Sequence, residues 1–233
     1  MKAAFVTSTF LLISFCQHGQ SISEPGQKDF TKWIHTYYKN PSPDSLFIVY
    51  NYYLSQTSSQ DPDMPFLGFV ASALRADQIS LESFYRKVSA TSSKDLVESF
   101  GWILWYINSE RSRNMLHELA DLPNQKKNKK FLNATIKKPP VNIYKDLQFY
   151  QPSMLWPDFF ATGNRETLYL ILSKIDGYES TKWIESQTAM DVVLDVKYLG
   201  EQDRQIIEYC KTYLSVSKEP TTRILTQIIN DIE

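Results

Sequence analysis

Glycine and cysteine are scarce in this chain, at seven and two among 233 residues. Seven glycines fall well below the roughly 7% of average usage, which disfavours folds built on glycine-rich phosphate loops, repeated tight hairpins or collagen periodicity. Two cysteines, Cys16 and Cys210, provide no disulfide framework. Neither sign of charge is in excess. Lys and Arg number 25 against 26 Asp and Glu, so the formal net charge is −1, which argues against a nucleic-acid partner held by overall charge. Metal-ligating spacing is missing as well: His35, His117 and Cys210 are far apart in sequence, with no HExxH or CxxC pattern, and no metal or other cofactor is implied. There is no GxSxG elbow to expose a nucleophilic serine. What remains is a globular balance, 42% hydrophobic and 22% charged, with an unusually high 14% of aromatic residues.

The N-terminus carries one basic residue, Lys2, then an apolar run from Ala3 to Phe15, then the polar stretch Gln17-His18-Gly19-Gln20. That order is the signature of a secretory signal peptide, and the run is shorter than the roughly 20 residues that cross a bilayer, so no permanent membrane span is expected. Small residues place cleavage after Ser23, or after Ser21, which makes residues 1–23 the signal and directs the chain to the periplasm or the exterior. Cys16 follows the apolar run as a lipobox cysteine does, but Phe15 before it departs from the Leu-small-small-Cys pattern, so a lipid anchor is the weaker reading. Cleavage after Ser23 removes Cys16 and leaves Cys210 without a bridging partner.

From residue 27 onward, apolar positions recur at three- and four-residue spacing, the period of an α-helix with one buried face. Phe30, Trp33, Ile34 and Tyr37 make the first stripe, which Pro41-Ser42-Pro43 ends. The next helix, through about Leu54, is apolar on nearly every side and is expected at the centre. Stripes follow at Leu67–Leu74, at Leu81–Val88 with Ser80 as the expected N-cap, at Leu96–Ile107 and from Glu110. Residues 121–151 crowd Lys126, Lys127, Lys129, Lys130, Lys137 and Lys138 before Pro139-Pro140 and read as a basic, proline-containing connector between a lobe at 24–120 and another at 152–233. No segment alternates as a strand does. The expected fold is therefore all-α, an irregular bundle or short solenoid of about ten antiparallel helices, although no repeat at a period of about 34 to 47 residues emerges.

Thirty-two aromatic residues exceed what helix seams readily bury, and surplus Tyr and Trp are what recognition surfaces favour. Tyr52, Tyr53, Trp105, Tyr106 and Trp156 are the candidate binding residues. Carboxylates that could serve glycoside hydrolysis are Asp158, Glu166, Asp191 and Asp195; the last two, four apart, share a helix face that reads as solvated. Cys210 falls in an apolar stripe, where a buried inert thiol is expected.

The string Leu155-Trp156-Pro157-Asp158-Phe159-Phe160-Ala161-Thr162-Gly163-Asn164 is the most distinctive in the chain. It reads as a helix carrying Trp156 and Phe160 inward, stopped by Gly163 and followed by Asn164 as the next N-cap. It resembles a motif of exported, all-helical bacterial proteins that are themselves uncharacterised, and that resemblance covers about a dozen residues and implies no activity. The expectation from these features together is a non-enzymatic, exported helical protein that binds another protein. The alternatives are a cell-envelope hydrolase using helix-borne carboxylates and a carrier of a small apolar ligand.

Overall fold

A computed structural model describes residues 24–56, 63–140, 142, 144 and 151–233; the expected signal segment, with Lys2, Cys16 and the cleavage positions, lies outside the described residues, as do Phe149 and Tyr150. The described chain is all-α, with twelve α-helices and no strand. The helices are α1 (Glu24–Thr36), α2 (Pro43–Gln56), α3 (Met64–Ala76), α4 (Gln78–Ser89), α5 (Lys94–Ile107) and α6 (Glu110–Asp121), then α7 (Lys129–Ile136), α8 (Gln151–Thr162), α9 (Arg165–Leu172), α10 (Trp183–Gln202), α11 (Arg204–Leu214) and α12 (Thr221–Ile232). Three 3-10 turns, Tyr37–Lys39, Pro123–Gln125 and Ser173–Gly177, complete the path.

Five of the helix starts, those of α3, α4, α6, α9 and α11, are set by a short polar side chain that satisfies an orphan backbone N–H. Asp63 accepts from the Phe66 amide at the head of α3, and Asp203 accepts from the Gln205 amide at the head of α11. Ser109 and Ser112 form a reciprocal capping box on α6. The cap of α4 is Asp77, bonded to the Ile79 and Ser80 amides, rather than Ser80, which lies inside the helix and donates its hydroxyl to the Asp77 carboxylate.

The centre of the molecule is α3, not α2. Every residue of α3 from Phe66 to Leu74 is buried, because α5 packs on one side of it and α8 on the other. In α2 only Leu46 and Tyr50 are fully buried, and Ile48 is 68% exposed, so its all-round apolar sequence places it at the rim. The α3–α8 pairing also joins residues from the two expected lobes into one core. Residues 129–136 of the expected connector form α7, which packs against α5 and α6 and buries Leu132 and Thr135. Just before it, Asn128 donates to the Gln125 side chain, and both residues are buried. Paired polar groups of this kind hold a lysine-rich stretch against the core that its hydropathy alone does not predict.

The hairpin between α8 and α9 has the expected form. Gly163 takes a left-handed φ of 65°, and the Asn164 side chain accepts from the Glu166 amide. A Cβ at Gly163 would stand 2.7 Å from Tyr38 Cδ2, so both the backbone and the space require glycine here. Gly163→Ala is expected to lower stability by about 1–3 kcal/mol in a urea titration, and an unchanged midpoint would mean that the hairpin opens freely.

Candidate functional site

The five aromatic candidates do not share a surface. Trp156 and Tyr106 are buried, the former stacked on Phe160 and the latter with its hydroxyl against Met154 Sδ. Burial pushes the Tyr106 phenol up to about 12. Tyr53 turns its ring onto Phe66 at 4.0 Å between centroids and donates its hydroxyl to Asp63 Oδ2 at 2.6 Å. Trp105 lies beside Trp102 and donates to the Pro139 carbonyl at 3.0 Å, while Lys138 Nζ sits 4.8 Å above the Trp102 ring. Residues 131–139 therefore cover the middle aromatic cluster that the sequence offers as a surface. Of the five, Tyr52 is the exposed one.

The carboxylate candidates divide by environment. Glu166 is exposed in the first turn of α9. Asp158 is buried and uses both oxygens on protein donors: Oδ1 takes Arg75 Nη2 at 2.5 Å, and Oδ2 takes Tyr144 Oη at 2.9 Å and Thr167 Oγ1 at 2.7 Å. A carboxylate held this way fastens α8 to α3 and α9 and is not presented to a substrate. Asp191 and Asp195 do share a face of α10, but that face is not solvated. Asp191 is buried and receives Gln187 Nε2 at 3.1 Å, and Asp195 receives the Trp156 indole N–H at 3.0 Å. Burial, with a smaller contribution from the Asp191 charge, pushes the Asp195 carboxyl up to about 7, against the lowering effect of the indole bond.

These two contacts bracket Pro157, which removes one backbone donor from the interior of α8. The Trp156 indole ties the helix to α10 on one side of the proline, and the Asp158 cluster ties it to α3 and α9 on the other. Nearby, His35 lies against Phe160 with ring centroids 4.5 Å apart. Its buried Nδ1 has no hydrogen-bond partner among the described residues, and burial lowers its pKa to about 4 despite the Asp203 charge. It is a neutral core ring at pH 7. Cys210 is buried in α11, where burial pushes its thiol up to about 12, as an inert core thiol requires.

The surface feature that the sequence reading missed is the outer face of α10. The 3.6-residue repeat sets Trp183, Met190, Leu194 and Tyr198 in one stripe about 22 Å long. Each is between 45% and 61% exposed, while Ala189, Val192, Val196 and Leu199 on the opposite side are buried. Roughly 400 Å² of apolar surface is open along this stripe, on the scale of functional patches of monomeric proteins. Asp191 and Asp195 lie beside the stripe but are drawn inward, Asp191 buried and Asp195 on the Trp156 indole, and on its other side Lys197 is engaged with Asp231 at 3.2 Å. A signal was present in the sequence: from residue 189 to residue 199, α10 is apolar on two opposed sides, which one core cannot use.

Among the described residues, no three His, Cys, Asp or Glu side chains group to hold a metal ion. No described helix is long and apolar enough to cross a membrane. The chain matches no protein-family model, no curated protein and no solved structure.

Proposed function

We propose that this chain is an exported, non-enzymatic protein-binding module that works in the periplasm or outside the cell, and that the outer face of α10 is its binding surface. The observation that carries this reading is the stripe of Trp183, Met190, Leu194 and Tyr198, each about half exposed on a helix that buries Ala189, Val192, Val196 and Leu199 on its other side. Tryptophan, tyrosine and methionine are enriched in protein interfaces relative to the remaining surface, and large exposed apolar side chains on one helix face mark interaction sites. The N-terminal pattern supports export.

The test compares two charged substitutions at exposed apolar positions. Leu194→Glu lies within the stripe, and Ile79→Glu lies on α4. With the full chain immobilised and exposed to envelope and secreted fractions of its source, one protein should be recovered in stoichiometric amount by wild type and by Ile79→Glu, and at least about ten-fold less by Leu194→Glu. Recovery of the same proteins by all three forms would overturn the assignment of the surface.

A further inference from the structure

The lysine-rich stretch is fastened to the core, and its charge is thereby fixed to one side of the molecule. From Asp121 to Lys138 the sequence holds six lysines, no arginine and one acid, a net charge of +5 in a chain whose net charge is −1. Asn128, Leu132 and Thr135 are buried at three- and four-residue spacing, and Lys130 and Lys137 fall half a turn out of phase with them, so they project away from the core. Lys126 and Lys127, in the turn that leads into α7, are exposed as well.

These charges are not neutralised locally. Lys126, Lys127, Lys130 and Lys137 stand in no ion pair among the described residues, whereas Lys39, Lys182, Lys197 and Lys211 elsewhere each meet a carboxylate within 3.2 Å. Lys129 meets Asp121 at 3.1 Å, which leaves the face positive, and on α6 the Glu118 carboxylate is taken by Arg111. A second observation lies on the flank. Trp102, Trp105 and Phe131 keep part of their surface in water there; Trp102 meets Trp105 at 5.4 Å and Phe131 at 6.0 Å between ring centroids, and Lys138 Nζ stands 4.8 Å above the Trp102 ring.

We propose that residues 126–138 are a peripheral docking face for an anionic phospholipid surface, with Lys126, Lys127, Lys130 and Lys137 against the headgroup phosphates and Trp102, Trp105 and Phe131 at the headgroup boundary beside them. Lysine supplies compact point charges suited to a dense anionic plane, and the stretch lacks the arginine fork that reads a single phosphate or a base edge. Four to eight such charges on a helix face are what anionic lipid surfaces attract. Tryptophan and phenylalanine half in water beside cations settle at headgroup level. The face is the outward side of one helix whose inner side rests on α5 and α6, a ridge that meets a plane. It is independent of the α10 surface.

The test is co-sedimentation of the full chain, at pH 7, with vesicles of phosphatidylcholine alone and of phosphatidylcholine mixed with phosphatidylglycerol. Binding to the anionic vesicles should be at least about ten-fold stronger, and raising salt from about 50 to about 300 mM should remove most of the difference. Lys130→Gln with Lys137→Gln should weaken that binding about 25-fold, about five-fold for each charge removed. Lys32→Gln with Lys218→Gln, which removes the same charge from other elements, should change it less than about two-fold. All four lysines are exposed, so glutamine keeps the fold, and the apolar N-terminal run is common to every form and cancels between them. Lipids brominated on their acyl chains should quench the tryptophan emission of wild type, and Trp102→Phe with Trp105→Phe should remove most of the quenching, while Trp183→Phe should not.

Equal binding to neutral and anionic vesicles, equal losses in the two lysine pairs, absence of quenching, or quenching that depends on Trp183 would overturn the proposal. So would tighter binding of single-stranded DNA than of anionic vesicles at equal phosphate, which would give the lysine face to nucleic acid.

Discussion

Asp158→Ala is expected to cost about 3–5 kcal/mol, the range for breaking a buried charge pair by removing one member. With total stabilities of about 5–15 kcal/mol, this is a large part of what holds a domain together, and for a chain of this length it corresponds to a drop of about 10 °C in melting temperature. The cost arises from what is left behind. Three donors lose this acceptor, and Thr167 is fully buried, so its hydroxyl gains no access to water. Arg75 keeps about a third of its side-chain surface exposed and can turn partly back to solvent. The asymmetry predicts that Arg75→Met is at least as damaging as Asp158→Ala, since it strands the carboxylate and not the guanidinium. Because the two residues act as one unit, the double variant should cost less than the two single variants added together, by about 1–3 kcal/mol. Urea titrations of the four proteins complete the cycle. A loss below about 1 kcal/mol for Asp158→Ala would mean that the cluster is open to water.

How much of this was legible in the sequence depends on the range of the signal. The helical class and the approximate helix starts are local properties, carried by i, i+3, i+4 spacing and, at α9, by Asn164 at its cap. Gly163 was legible for the same reason, since a glycine between two apolar stripes marks a left-handed stop. Asp77 was missed as a cap because Ser80 stands closer to the first apolar residue, although Asp77 reaches two amides. The status of α2 was misread because hydropathy reports how apolar a helix is and not how many neighbours it has. Phe47, Ile48 and Tyr52 are apolar at the rim of the fold, while α3, with Gly68 and Ala71 to admit its neighbours, takes the centre.

The candidate site was legible only in part. That Asp191 and Asp195 share a face follows from their spacing, and so does the inward direction of Trp156, but the contact between Trp156 and Asp195 spans 39 residues and no local pattern encodes it. Arg75 and Asp158 are 83 residues apart and present the same difficulty. Aromatic abundance pointed to a recognition surface, yet most of the rings at helical spacing turned inward; Trp156, Phe159 and Phe160 pack on one another and on His35, Tyr38 and Tyr209. The exposed stripe comes instead from the second apolar side of α10, where Met190, Leu194 and Tyr198 alternate with the buried valines and are hidden by them in any one-dimensional reading.

Asp195→Asn is expected to stabilise the protein at pH 8, by roughly 2–4 kcal/mol, and to reshape its stability profile below pH 7. The sign follows from linkage. The Asp195 carboxyl is raised to about 7 in the fold, so between about pH 4 and 7 the native state holds a proton that the unfolded chain has released. That contribution is fully present below the carboxylate's ordinary range and is lost as pH rises through 7. His35 acts in the opposite sense, because its folded pKa of about 4 leaves the ring neutral where the unfolded chain is protonated, so stability falls as pH drops from about 6.5 towards 4. In wild type the two slopes, each about 1.4 kcal/mol per pH unit, oppose one another over that window and leave it nearly flat. Removing the Asp195 charge exposes the histidine slope alone: stability of Asp195→Asn should rise with pH up to about 6.5 and then level off. Asp195→Asn combined with His35→Phe should remove both contributions. A wild-type profile that is unchanged in shape by Asp195→Asn would mean that the carboxyl remains ionised beside Trp156 throughout, and that the edge of the α10 stripe is solvated after all.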